Sequence, residues 1–99
     1  MNVWSITKDL AIKHFLLELI HRYGENRFVC SQEHDHYQAI EISEQDCPDL
    51  CAYIYTFSQA TGCYGVDLKY PFSDNNIVGT NENLNMEQLF SILETHFDL

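Results

Sequence analysis

Ninety-nine residues suit a single domain, and a hydrophobic content of 45%, with six Phe, six Tyr and one Trp, excludes a disordered chain in spite of the charge. Fifteen acids against five Lys and Arg give a net charge of −10, which excludes the phosphate contacts of a nucleic-acid binder and the polybasic face of an anionic-membrane binder. The charge is unevenly placed. Residues 1–27 hold Lys8, Lys13, Arg22 and Arg27 against Asp9, Glu18 and Glu25, a net of +1, while residues 28–99 hold Lys69 against twelve acids, a net of −11.

No run approaches the roughly 18 apolar residues of a membrane span. The first apolar run lacks a basic leader and is broken by Asp9, Lys13, His14 and Glu18, so no signal peptide is expected and a cytoplasmic, reducing setting is. In that setting Cys30, Cys47, Cys51 and Cys63 are read as thiols, although an even count leaves disulfides open.

The first element is an amphipathic helix. Ile12, Phe15, Leu16, Leu19, Ile20 and Tyr23 form one continuous face, Ser5 or Thr7 is placed to cap it, Asp9 falls in its first turn, and Gly24 follows as a stop. Leu10 and Leu17 lie off that face and mark a wider buried stripe or a second contact surface. Two strands follow, Arg27 to Ser31 and His36 to Ser43, joined by the polar Gln32-Glu33-His34-Asp35 as a hairpin. In the second, Ile40 and Ile42 share one face, Ala39 and Glu41 the other.

Residues 46–60 carry Leu50, Tyr53, Ile54 and Phe57 at helical spacing, with Asp46 as cap, Pro48 in the first turn and Gly62 as stop, which predicts a helix; Tyr-Ile-Tyr-Thr-Phe is also good strand sequence. Cys63 to Tyr70 alternates cleanly, with Tyr64, Val66, Leu68 and Tyr70 on one face and Cys63, Gly65, Asp67 and Lys69 on the other. Pro71 ends it, Ser73 to Asn76 reads as a turn, and Ile77 to Thr80 as a weak strand. The final helix begins with Asn85 as cap and Gln88 three residues on, flanked by Leu84 and Leu89; Met86, Leu89, Phe90, Leu93 and Phe97 form its buried face. The expected fold is a single α+β domain of order α-β-β-α-β-β-α, a mostly antiparallel four-stranded sheet packed against helices.

Chemistry-bearing motifs are sparse. The phosphate-loop, dinucleotide, nucleophile-elbow, zincin and EF-hand patterns are all absent. Cys30, His34, His36, Cys47 and Cys51 are the residue types of a zinc site or a thiol enzyme, but without a C-x-x-C pair; the plainer reading is small core thiols and loop imidazoles. A helix starting near residue 46 would favour a Cys47 thiolate through its dipole, whereas Glu44, Asp46 and Asp49 oppose it. His14, Glu18 and His21 form a ladder on the outer side of the first helix, read first as a solvated face.

The strongest feature is a window holding Glu33, Asp35, Glu41, Glu44, Asp46 and Asp49 with no Lys or Arg. It fits a surface for a basic protein partner, with Tyr37 and Tyr53 as the nearest aromatic anchors, or a face kept for solubility. The expected function is non-catalytic binding of a specific partner, as inhibitors, immunity proteins and secretion chaperones do, with no cofactor. The alternatives are a zinc- or thiol-dependent protein on the Cys/His set, and a homo-oligomer joined through Leu10 and Leu17.

Overall fold

The computed structural model describes residues 2–31, 36–71 and 81–99. A 3-10 turn, Val3–Ser5, precedes helix α1, Leu10–Tyr23; four strands follow, β1 Phe28–Ser31, β2 Ala39–Glu44, β3 Cys47–Tyr55 and β4 Gly65–Lys69; helix α2, Met86–His96, closes the order. The strands form one antiparallel sheet, β1-β2-β3-β4. The α+β class and the four antiparallel strands are as expected. The expected connection, turn and weak strand at residues 32–35, 73–76 and 77–80 lie outside the described residues.

One element differs. Residues 46–60 do not form a helix: Cys47–Tyr55 is the central strand, bonded to β2 on one edge and β4 on the other. The helical spacing of Leu50, Tyr53, Ile54 and Phe57 is a coincidence of a strand buried on both faces. Ala52 and Ile54 enter the core, while Cys51 and Tyr55 are also buried on the other side, so no single-face period survives. The residues that resemble a helix start serve a turn and an irregular register instead. The pairing steps from Ser43↔Cys51 to Glu44↔Cys47, looping out Pro48, Asp49 and Leu50, and the Cys51 thiol donates to the Pro48 carbonyl at 3.0 Å.

Asp9, rather than Ser5 or Thr7, caps α1. Its carboxylate accepts from the Ile12 N–H at 2.8 Å and from the Thr56 hydroxyl at 2.6 Å, and its own N–H donates to the Tyr37 carbonyl at 3.0 Å. One residue therefore ties the start of α1 to both strands at the open end of the β2–β3 hairpin, beside the Ala39–Tyr55 pair. Gly24, at φ +85°, closes the helix and donates to Ile20 O. At α2 the expected capping box is complete, Gln88 N–H to Asn85 Oδ1 at 2.8 Å and Asn85 N–H to Gln88 Oε1 at 2.9 Å.

Both helices lie on one face of the sheet. Ile12, Phe15, Leu16 and Leu19 from α1 and Leu89, Phe90 and Leu93 from α2 close on Ile40, Ile42, Ala52, Ile54, Val66 and Leu68. Phe15 and Phe90 meet at 5.4 Å between centroids, and the Tyr64 hydroxyl donates to the Ala11 carbonyl at 2.7 Å. Arg22 ties the helices together: it bonds Glu18 and Glu87, each at 2.8 Å, and lies 4.1 Å above the Phe90 ring.

Opposite this core, Gly65 stands in β4 directly across from Tyr55, and a Cβ there would fall among the Tyr55 ring atoms. Gly65→Ala is therefore expected to cost about 1–3 kcal/mol in urea unfolding, the range for inserting a methyl group into filled space. Combining it with Tyr55→Leu should recover part of that loss, giving a double-mutant coupling above about 0.5 kcal/mol.

Candidate partner-binding face

No helix among the described residues covers the second face of the sheet. Strand register writes its composition in rows. One row is Ser31, Glu41, Tyr53 and Asp67; a second is Val29, Ser43, Cys51 and Lys69; a third is Ala39, Tyr55 and Gly65. Alternation sends Ile40, Ile42, Ala52, Ile54, Val66 and Leu68 to the core and these residues to the other side.

The centre of the face is Tyr53, with Glu41 as its partner on β2 and Asp67 on β4. All three are half-buried. An aromatic run continues along β3 and past its end. Tyr53 and Tyr55 lie 5.9 Å apart between centroids, Tyr55 and Phe57 stack at 4.8 Å with 20° between planes, and His36 meets Phe57 at 4.8 Å. Asn81 and Leu84 bond the outer edge of β4 at Val66 and Tyr64, which carries Glu82 to within 3.5 Å of the Tyr55 hydroxyl that donates to it.

These groups share one electrostatic environment. Burial pushes the Tyr53 phenol up, with Asp67 and Glu41 adding to it. Burial, then Asp67 and Glu82, does the same at Tyr55, and burial with Glu82 raises the Asp67 carboxyl. The Cys51 thiol is raised by burial and by Glu41, against an opposing pull from Lys69. Each shift reflects burial first and neighbouring negative charge second, so all of these groups hold their protons more tightly than they would in water.

The residues expected from sequence divide accordingly. Glu41 and Tyr53 are brought together on this face. Asp46 is exposed in the β2–β3 turn and Asp49 in the looped-out stretch beyond it, at the hairpin end of the sheet. Tyr37 is 57% exposed in the turn before β2. Glu44 does not join them: its side chain is buried toward the core and paired with Arg27 at 3.4 Å. Glu33 and Asp35 lie outside the described residues. Asp67, Glu82, Tyr55 and Phe57 were not singled out from sequence. Asp67 was already assigned to the correct face of its strand, but its place beside Tyr53 depends on strand register.

The described members of the Cys/His set do not come together. Cys30 faces the core, where burial pushes its thiol up to about 11, and Cys51 lies on the opposite face. Cys47 begins β3 with no helix dipole behind it, His36 sits at the far end of the sheet, and His34 lies outside the described residues. None of the four cysteines is in a disulfide. Among the described residues no group of three or more His, Cys, Asp and Glu side chains converges as a metal site. No known family, no characterised protein and no solved structure matches this chain.

His96 supports the face from behind. It is 5% exposed, lies edge-on to Tyr70 and Phe97, and pairs its Nε2 with the Cys51 carbonyl at 2.8 Å. A carbonyl only accepts, so Nε2 carries the proton and donates, leaving the buried Nδ1 without a partner among the described residues. Burial lowers the His96 pKa, against the raising effect of the Cys51 carbonyl. The folded state thus disfavours the imidazolium. The stability His96 contributes is complete above the unfolded pKa of about 6.5 and declines as pH falls through it, because the unfolded chain takes up the proton first. The urea midpoint of the wild type should therefore fall relative to that of His96→Phe as pH drops from 7 to 5. A constant gap would mean that His96 does not titrate against folding.

Proposed function

We propose that this protein acts without catalysis by binding a basic segment of a specific protein partner on the sheet face that no described helix covers. The observation that carries the reading is the row Glu41–Tyr53–Asp67, an aromatic ring flanked in register by two carboxylates, with Glu82 beside the neighbouring Tyr55. A lysine or arginine side chain of the partner finds there both a π-face and counter-charges.

Four of the chain's five Lys and Arg side chains are directed elsewhere. Lys8 donates to the His36 carbonyl and Lys13 to the Trp4 carbonyl, Arg22 holds Glu18 and Glu87, and Arg27 holds Glu44. Lys69 is the basic side chain on this face, in the row next to Tyr53. The net −11 of residues 28–99 steers a basic partner from a distance, with Asp46 and Asp49 extending the field at the hairpin end and the tyrosines supplying the anchor. Tyr37 stands at the opposite end. A cytoplasmic inhibitor, immunity protein or chaperone of a basic protein fits this division of labour, an inference from charge and size rather than from fold.

A tagged pull-down from native extract, run at low and moderate salt, tests the proposal. One near-stoichiometric basic protein should be retained, more weakly at the higher salt. Against that partner, Glu41→Gln/Asp67→Asn/Glu82→Gln should slow association by about tenfold or more and flatten its salt dependence. Tyr53→Ala should instead act mainly on dissociation. Nothing retained at low salt, or unchanged rates in the triple variant, overturns the reading.

A further inference from the structure

One arginine of the chain already sits on an aromatic ring among carboxylates. Between the helices, Arg22 lies 4.1 Å above the Phe90 ring, bonds Glu18 and Glu87 at 2.8 Å each, and has Glu94 at 3.9 Å. The sheet face offers the same set of groups around Tyr53, which has Glu41 as its direct partner on one side and Asp67 on the other. Directly paired strand positions set their Cβ atoms roughly 4.5–5.5 Å apart. Both carboxylates act electrostatically on the Tyr53 phenol. The chain has two arginines, and both are committed to other carboxylates, Arg22 to Glu18 and Glu87 and Arg27 to Glu44.

We infer, resting on the proposed use of this face, that the partner side chain seated on Tyr53 is an arginine, its guanidinium against the ring and its N–H groups shared between Glu41 and Asp67. The required partner is thereby narrowed from any basic segment to one that presents arginine. Two carboxylates on either side of a ring suit a planar group better than a point charge. A guanidinium is flat, weakly hydrated and carries five donors in a fixed fork, so it stacks on the ring while bonding acceptors to both sides. An ammonium is compact and strongly hydrated, and bonding either carboxylate pulls it away from the other. An ionised carboxylate offers about four lone-pair sites, so a bond made within the chain does not stop Glu41 or Asp67 from accepting another. Arg22 shows the principle inside the same molecule, one guanidinium serving two carboxylates and a ring at once.

Titration of the full chain at low salt with unstructured Gly/Ser peptides, followed by amide chemical shifts, tests the inference. One peptide carries alternating arginines; the others carry lysine, citrulline or symmetric dimethylarginine at the same positions. The arginine peptide should bind about tenfold more tightly than the lysine peptide or better, with the largest shifts at Glu41, Tyr53 and Asp67. Dimethylarginine keeps the charge but blocks the paired hydrogen bonds, and citrulline keeps the shape without the charge, so both should lose that advantage. Tyr53→Phe should keep the arginine preference. Tyr53→Leu and Glu41→Gln/Asp67→Asn, with unchanged circular dichroism, should each bring arginine down to the level of lysine. Equal affinity of the wild type for the arginine and lysine peptides overturns the inference and leaves the basic-partner reading standing. So does an arginine preference that Tyr53→Leu and Glu41→Gln/Asp67→Asn leave unchanged. Binding of neither peptide removes the Tyr53 row as a cation site, and the proposed function with it.

Discussion

Strand β3 is the constraint on which the rest of this structure depends. It is bonded along both edges, and its side chains divide the molecule in two. Ala52 and Ile54 belong to the core beneath the helices, while Cys51, Tyr53 and Tyr55 belong to the opposite face. The core and the proposed binding face are thus written in alternate letters of a single segment. A change at Ile54 removes apolar area from the core, at a cost typical of buried aliphatic truncation. A change at Tyr53, one residue away, leaves that core intact. The local register irregularity near Pro48 absorbs the misfit at the hairpin end and leaves the alternation from Cys51 onward undisturbed.

This double use also explains what could be read from the sequence. Both helices were legible because each buries one stripe and has strong end signals: Gly24 for the first, the Asn85–Gln88 box for the second. The face assignments of Ile40, Ile42 and the Tyr64-to-Tyr70 segment were legible for the same reason, one face being apolar and the other not. The central strand was not, because burial on both sides erases period two and leaves chance spacings to be misread. The cap of α1 was misplaced by a few residues because Asp9 is selected by a tertiary contact, the Thr56 hydroxyl, as well as by the helix.

The candidate face was legible in part. Glu41 and Tyr53 were recognised by residue type, yet their adjacency, and the arrival of Asp67 and Glu82, follow from strand pairing between segments far apart in the chain. Glu44 belongs by composition to the same acidic window, but it turns to the core, where Arg27 supplies its counter-charge. Charge counting along a sequence is blind to that distinction. The same holds for cations: Lys8 is 6% exposed with its ammonium on a backbone carbonyl, and Arg22 works as a strut between helices. Much of the positive charge is thereby structural, and the surface field is more one-sided than the composition alone suggests.

The close approach of Tyr55 to Gly65 has a kinetic and entropic side. Seated against bare backbone on one side and stacked on Phe57 on the other, the Tyr55 ring has almost no rotameric freedom in the free protein. Ordering a mobile side chain during association ordinarily costs about 0.5–1.5 kcal/mol. A ring already immobile has none of that freedom to surrender, so under the proposed function the β4 side of the face would meet an incoming chain as a rigid wall, and any adjustment would fall to the chain that arrives.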